Sequence, residues 1–284
     1  MKTVGIIGNG SMGGGIAQTA AQNGYQVIMV GRRKESLDKA VGKIAGSLQK
    51  RIDKGKMAPE EKDKVLSAIR CTLDIEDTAV CDIVIEAIAE VMEDKIDTFV
   101  RLENIVSPSC ILATNTSSLS LTEISSHMRD NTRLVGIHFF NPVPAMKLVE
   151  IVKTDTVAEP VVQAATEFAE SLGKTTILAK DTPGFIVNYL QYPFRLNAMR
   201  MLEKGVASAK DIDTAAKLGL GHPMGPLELQ DMVGLDVTYN ATKSIYEKTK
   251  DPAMEPPKIL RDMVEAGQLG RKTGKGFYDY SDQH

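Results

Sequence analysis

The sequence predicts an α/β chain in two parts: a doubly wound, mostly parallel sheet, then an all-helical C-terminal domain. Three observations carry this. Short apolar runs alternate with helical patterns through residue 180, as in parallel α/β sheets. A glycine-rich turn separates the first strand from the first helix. After "KDTPGF" (180–185) strand patterns cease and helical periodicity takes over.

In order, TVGIIG (3–8) reads as the first strand and residues 13–23 as a helix. QVIMV (26–30) is the second strand, and 34–56 a long Lys-rich helix. CDIVIEA (81–87), CILAT (110–114), RLVGIHFF (133–140), KLVEIV (147–152) and TTILAK (175–180) are further strands. Pro183 and Gly184 punctuate the chain, which places residues 1–183 in the first domain and 184–284 in the second. There Ile186, Leu190, Phe194, Met201 and Leu202 lie on a long helix that Pro193 is expected to kink. Ser208 and Asp211 have capping-box spacing for the next helix, and Gly219 marks its end. A small helical domain of this kind often buries an apolar face against a partner subunit, so a homodimer is expected.

Composition narrows the function. The chain is 43% apolar and 25% charged with a net charge of −3, an ordinary globular balance. General nucleic-acid binding needs a broad basic field, which is excluded. The three cysteines (Cys71, Cys81, Cys110) show no CxxC spacing. They read as free thiols in a reducing cytoplasm, with no metal site. No apolar run approaches the ~18 residues of a membrane span, and the N-terminus lacks a signal-peptide pattern. Of the four histidines, His127 lies in a polar stretch, His222 in a turn-like run and His284 at the terminus.

Gly8, Asn9, Gly10, Ser11, Met12 and Gly13 spell G-x-G-x-x-G between a strand and a helix, with a second strand following. That context makes the string a Rossmann-type dinucleotide fingerprint rather than a flexible loop. The first glycine permits the turn, the second lets the backbone approach a pyrophosphate, and the third packs helix on strand. The helix N-terminus then offers N–H groups to the phosphates.

The second strand ends differently from the usual pattern. An acid there grips the ribose 2′-OH of NAD and repels the 2′-phosphate of NADP. This chain has Gly31 followed by Arg32 and Arg33, which favours NADP(H) through charge-assisted phosphate contacts. NAD(H) stays open, because both arginines could be solvated and Glu35 could serve the ribose.

His138 stands near the end of an apolar strand, where active sites of open α/β sheets form. Twelve residues on, Glu150 interrupts another apolar strand, a costly position unless it is paired. A His–Glu pair satisfies both groups and orients the imidazole; a buried structural pair is the competing reading.

"HFFNPVPAMKLVEIV", "NTSSLS", "DTPGFIVN" and "GHPMGPLELQDMVGLD" resemble the signatures of the short-chain L-3-hydroxyacyl-CoA dehydrogenases, and within them the bacterial 3-hydroxybutyryl-CoA type. The likeness runs from the first strand to "GRKTGKGFYDY". It implies a dinucleotide-binding domain followed by a helical dimerisation domain. It implies interconversion of acetoacetyl-CoA and (S)-3-hydroxybutyryl-CoA, with longer acyl chains as an alternative. By resemblance His138 is the general acid/base and Glu150 its orienting partner. Ser117 bonds to the reacting oxygen and lies near the nicotinamide. Asn188 reaches the substrate from the helical domain. Asn141, Glu90 and Lys95 match cofactor contacts, and Ser47 and Lys54, with Lys50 beside them, match residues that hold coenzyme A. The Lys-rich helix offers a local basic surface for the phosphates of coenzyme A, although most such lysines are simply solvated.

Hydride transfer to a ketone builds negative charge on oxygen, which a proton from His138 and hydrogen bonds from Ser117 and Asn188 would quench. NADPH use would suit reductive synthesis, as in butyrate-type fermentation. Two other readings rank lower. The 3-hydroxyisobutyrate type of free-acid dehydrogenase shares only the N-terminal glycines and uses a catalytic lysine. A non-catalytic, crystallin-like relative would have no need of Ser117, His138, Glu150 and Asn188 together.

Overall fold

A computed structural model describes residues 1–281; His284 lies outside the described residues. The chain divides into two compact units, the first ending at Thr182 and the second opening at Pro183.

The first unit runs β1 (Thr3–Ile7), α1 (Ser11–Gln22), β2 (Gln26–Val30), α2 (Lys34–Asp53), α3 (Pro59–Ser67), β3 (Ile69–Thr72), β4 (Ile83–Glu86) and α4 (Met92–Ile105). It continues with β5 (Ile111–Thr114), α5 (Leu121–Ser126), β6 (Leu134–Phe139), β7 (Leu148–Lys153), α6 (Glu159–Ser171) and β8 (Thr175–Lys180). The eight strands form one sheet in the order β3-β2-β1-β4-β5-β6-β7-β8. All neighbours are parallel except β6 and β7. Successive side chains of a strand point to opposite faces. Val4, Ile6, Val27 and Met29 join the core on one face, and Ile7, Ile28 and Val30 that on the other. Burial on both faces explains why the strands read as nearly continuous apolar runs.

Strand order reverses between β1 and β4, and a crevice opens beyond the carboxyl ends of strands at such a point. The fingerprint loop sits there. Gly8 has φ +109°, and a Cβ on it would stand 2.5 Å from the Ala87 carbonyl oxygen in the loop after β4. A Cβ on Gly13 would stand 2.0 Å from the Gly8 carbonyl oxygen. These glycines therefore let two loops and a helix meet closely.

Two elements differ from the sequence expectation. The Lys-rich helix stops at Asp53 rather than 56, because Gly55 takes φ +65° and turns the chain into α3. The edge strand β3, with sequence IRCT, was not expected. It is four residues long and only partly buried, so it lacks an apolar run. All three cysteines are free. Burial pushes the Cys81 and Cys110 thiols up to about 12. Among the described residues no helix is long and apolar enough to cross a membrane.

The second unit consists of α7 (Val187–Glu203), α8 (Ala209–Gly219), α9 (Pro226–Val233), α10 (Leu235–Thr249) and α11 (Lys258–Glu265). α7 continues through Pro193. Its core face carries Leu196 and Met199, packed with Ile212, Leu227, Leu235 and Leu260. Leu190 and Met201, expected only as apolar positions on this helix, are exposed. Ser208 caps α8 by accepting from the Asp211 N–H, but the Asp211 carboxylate takes the Ser208 hydroxyl rather than its backbone N–H. Two buried carboxylates clasp the C-terminal segment. Asp231 accepts from the N–H groups of Phe277 and Tyr278, and Asp213 from the Tyr278 hydroxyl. Gly276 in "GKGF" is required there, since a Cβ would stand 2.0 Å from Asp231 Oδ1.

Candidate active site

β6 and β7 pair antiparallel with His138 directly opposite Glu150. Directly opposed side chains on one face of such a pair are close neighbours. The Nδ1–H of His138 donates to Glu150 Oε2 at 2.6 Å, and both side chains are buried. The carboxylate thereby fixes the ring's orientation and tautomer, leaving Nε2 as the nitrogen for proton exchange. An imidazole held in this way is able to take part in proton exchange.

Ser117 lies in the loop after β5, at the same edge of the sheet as the end of β6. Asn115 Oδ1 accepts the Phe139 N–H at 3.0 Å, tying that loop to the end of the histidine's strand. On the other side, Ser11 Oγ donates to Asn141 Oδ1 at 3.5 Å, joining the start of α1 to the loop after β6. The fingerprint, the serine loop and the histidine strand thus meet at one edge.

A charged network backs the serine loop. Glu90 Oε1 accepts from Thr116 Oγ1 at 2.9 Å, from the Ser117 N–H at 2.8 Å and from Ser117 Oγ at 3.2 Å. Glu90 Oε2 pairs with Lys95 Nζ at 3.1 Å. Lys95 is itself buried and pairs with Glu86 at 2.5 Å. Glu86 was not singled out from sequence. Its signal was the same as that of Glu150, a carboxylate inside an apolar strand. Asp181 anchors the far end of the loop, accepting from Ser120 Oγ and from the N–H groups of Leu121 and Thr122.

A groove of about 860 Å³ opens beyond the ends of β1, β2 and β4, lined among others by Gly8, Gly10, Gly31, Arg32 and Arg33. A Cβ on Gly10 would meet no protein atom, so the missing side chain leaves the open side of the turn clear. The groove and this bare backbone fit a dinucleotide, with its pyrophosphate against the start of α1. Arg32 is exposed and pairs with Asp94 at 3.1 Å; Arg33 is exposed at the start of α2. Asp74 and Asp97 also line the groove, whereas Glu35 does not. Gly31 is hemmed in: a Cβ would stand 2.7 Å from Leu37 Cγ and 3.1 Å from Asn9 Oδ1.

A second groove, of about 380 Å³, has Ser47, Ser11 and Asn141 in its lining together with Lys43 and Arg51. The sequence reading missed Lys43 and Arg51, although spacing of four on either side of Ser47 puts all three on one helix face. Lys50 and Lys54 are exposed and lie outside that lining. Asn188 belongs to the helical unit, buried in the first turn of α7, where it accepts from Gln191 Nε2 at 2.7 Å.

Residues 3–182 match the family described as 3-hydroxyacyl-CoA dehydrogenase, NAD binding domain, and residues 184–280 the C-terminal domain of the same family. The chain is 43% identical over 276 residues to a probable 3-hydroxybutyryl-CoA dehydrogenase of Deinococcus radiodurans, covering 97% of this chain and 99% of the relative. It is 42% identical over 288 residues to the human mitochondrial hydroxyacyl-coenzyme A dehydrogenase, covering 99% and 91%. Among solved structures, that of (S)-3-hydroxybutyryl-CoA dehydrogenase PaaH1 from Ralstonia eutropha superposes with a TM-score of 0.96 at 40% identity, covering 99% of each chain.

Proposed function

The chain belongs to the 3-hydroxyacyl-CoA dehydrogenase family, and from that premise we propose that it interconverts acetoacetyl-CoA and (S)-3-hydroxybutyryl-CoA, with NADP(H) as the preferred cofactor. The observation that carries the reading is the buried His138–Glu150 pair at the sheet edge shared with the Ser117 loop. The relatives named for 3-hydroxybutyryl-CoA support the short acyl chain.

When bound, the dinucleotide supplies or accepts the hydride. Gly8, Gly10 and the start of α1 would hold its pyrophosphate, and Arg32 and Arg33 would serve its adenosine end. His138 Nε2 donates a proton to the ketone oxygen during reduction and withdraws the hydroxyl proton during oxidation. Glu150 balances the charge while the ring carries both protons. Ser117 hydrogen-bonds the reacting oxygen as charge develops there. Ser47, with Lys43 and Arg51 on its helix face, receives the coenzyme A moiety.

Initial rates of acetoacetyl-CoA reduction, measured with NADPH and NADH in parallel, test this. A kcat/KM for NADPH at least about tenfold above that for NADH is expected, roughly 1.4 kcal/mol of discrimination. A preference for NADH would keep the reaction and return the arginines to solvent. No rate with either cofactor would overturn the reading.

The helical unit also supports a homodimer. Leu190, Leu218 and Leu220 are 72%, 84% and 64% exposed, and Val206, Met232 and Val237 are exposed as well. Exposed large apolar side chains in this number on so small a unit are what a subunit interface would cover. Sedimentation at micromolar concentration should give twice the chain mass of 30.9 kDa; a single-chain mass would refute the dimer.

A further inference from the structure

We infer that Glu86 is a positioning residue for Ser117, acting through Lys95 and Glu90. This rests on the reading of Ser117 as a contact to the reacting oxygen. The argument begins with burial. Glu86 is fully buried at the end of β4, and its carboxylate takes three donors: Lys95 Nζ, Thr114 Oγ1 and the Ile88 N–H. A lysine ammonium rides on a flexible four-carbon stem. Here it is 1% exposed and held between two carboxylates, at 2.5 Å from Glu86 and 3.1 Å from Glu90.

Glu90 is different. Its side chain is 40% exposed, on the loop after β4. Nothing in its local sequence would hold it still. Lys95 fixes its Oε2, which leaves Oε1 to collect Thr116 Oγ1, the Ser117 N–H and Ser117 Oγ. The first two contacts, at 2.9 and 2.8 Å, place the loop; the third, at 3.2 Å, is the longest. Held by the first two contacts, the loop presents the Ser117 hydroxyl in one place. Glu86 also balances the buried ammonium. Without it, Lys95 would turn its whole charge on Glu90 and draw that carboxylate away from Thr116 and Ser117. Misplacement of a catalytic group by about 1 Å can cost on the order of a hundredfold in rate.

A double-mutant cycle tests the inference, using Glu86→Gln, Ser117→Ala and the combination in the full chain. Acetoacetyl-CoA reduction gives kcat and KM, NADPH fluorescence titration gives cofactor Kd, and thermal unfolding reports the fold. Glu86→Gln should lower kcat on the order of tenfold while KM and the NADPH Kd change less than about threefold. In the Ser117→Ala background the same substitution should change kcat less than about twofold, because the residue through which it acts is gone. Equal losses in both backgrounds would overturn the inference, as would an unchanged kcat or a cofactor Kd that rises in step with the loss. If Glu86→Gln does not fold, Glu86→Gln with Lys95→Met removes both charges together, a replacement that buried ion pairs tolerate. The cycle is then run from that variant with the same expectations for kcat, the cofactor Kd being left out because Lys95 matches a cofactor contact. An inactive wild type would take down the functional reading and this inference together. An active wild type with an additive cycle removes this inference alone.

Discussion

Replacing His138 with alanine is expected to lower kcat for acetoacetyl-CoA reduction on the order of 10³-fold while leaving cofactor binding within about threefold of wild type. The expectation follows from position. His138 is on β6, whereas the dinucleotide groove opens beyond β1, β2 and β4. The substitution removes the proton donor without touching the groove. It also leaves Glu150 buried without its imidazole, and a buried carboxylate that loses a partner is destabilising. His138→Gln is therefore the companion variant, since its amide can still donate to Glu150 Oε2. Both should lose turnover, and the glutamine variant should retain more thermal stability. Steady-state kinetics with NADPH fluorescence titration reads the first effect, and thermal unfolding the second. Turnover within tenfold of wild type in the folded glutamine variant would refute the role given to His138.

The second large effect concerns the cofactor. Arg32→Ala with Arg33→Ala should reduce kcat/KM for NADPH about 10- to 100-fold and leave that for NADH within about twofold, the equivalent of a single hydrogen bond to a charged group at ~1.5–3 kcal/mol. Arg32 already pairs with Asp94, and that exposed pair is worth little in solution, so it does not hinder a phosphate from recruiting the guanidinium. Equal losses with the two cofactors would show that the arginines do not read the 2′-phosphate. Installing an acid at position 31 is not the simple converse. A Cβ there would stand 2.7 Å from Leu37 Cγ, so Gly31→Asp should also cost about 1–3 kcal/mol of stability through overpacking. Chemical denaturation separates that cost from any change in preference.

The site was legible in sequence wherever a residue's character is set by its neighbours along the chain. The fingerprint glycines, the apolar strands and the histidine at a strand's end all carry local signals, because turn conformation and strand burial act over a few residues. Glu150 announced itself as a carboxylate in an apolar run. Glu86 made the same local signal and passed unread, because its partner Lys95 belongs to the next helix. The short edge strand β3 escaped for a related reason: a half-exposed edge has no need of an apolar run.

By itself, the sequence determined that the first part of this protein is a parallel α/β sheet with a glycine turn built for phosphates, and that the second is helical. It also determined that an acid is missing where the second strand ends. Only the tertiary structure decided that His138 stands directly opposite Glu150, that Lys95 lies between two carboxylates behind Ser117, and that Lys43 and Arg51 share a groove with Ser47. The physical reason is range. Periodicity and turn chemistry depend on adjacent residues, whereas strand register, burial of an ion pair and the lining of a groove arise only when distant segments pack against one another.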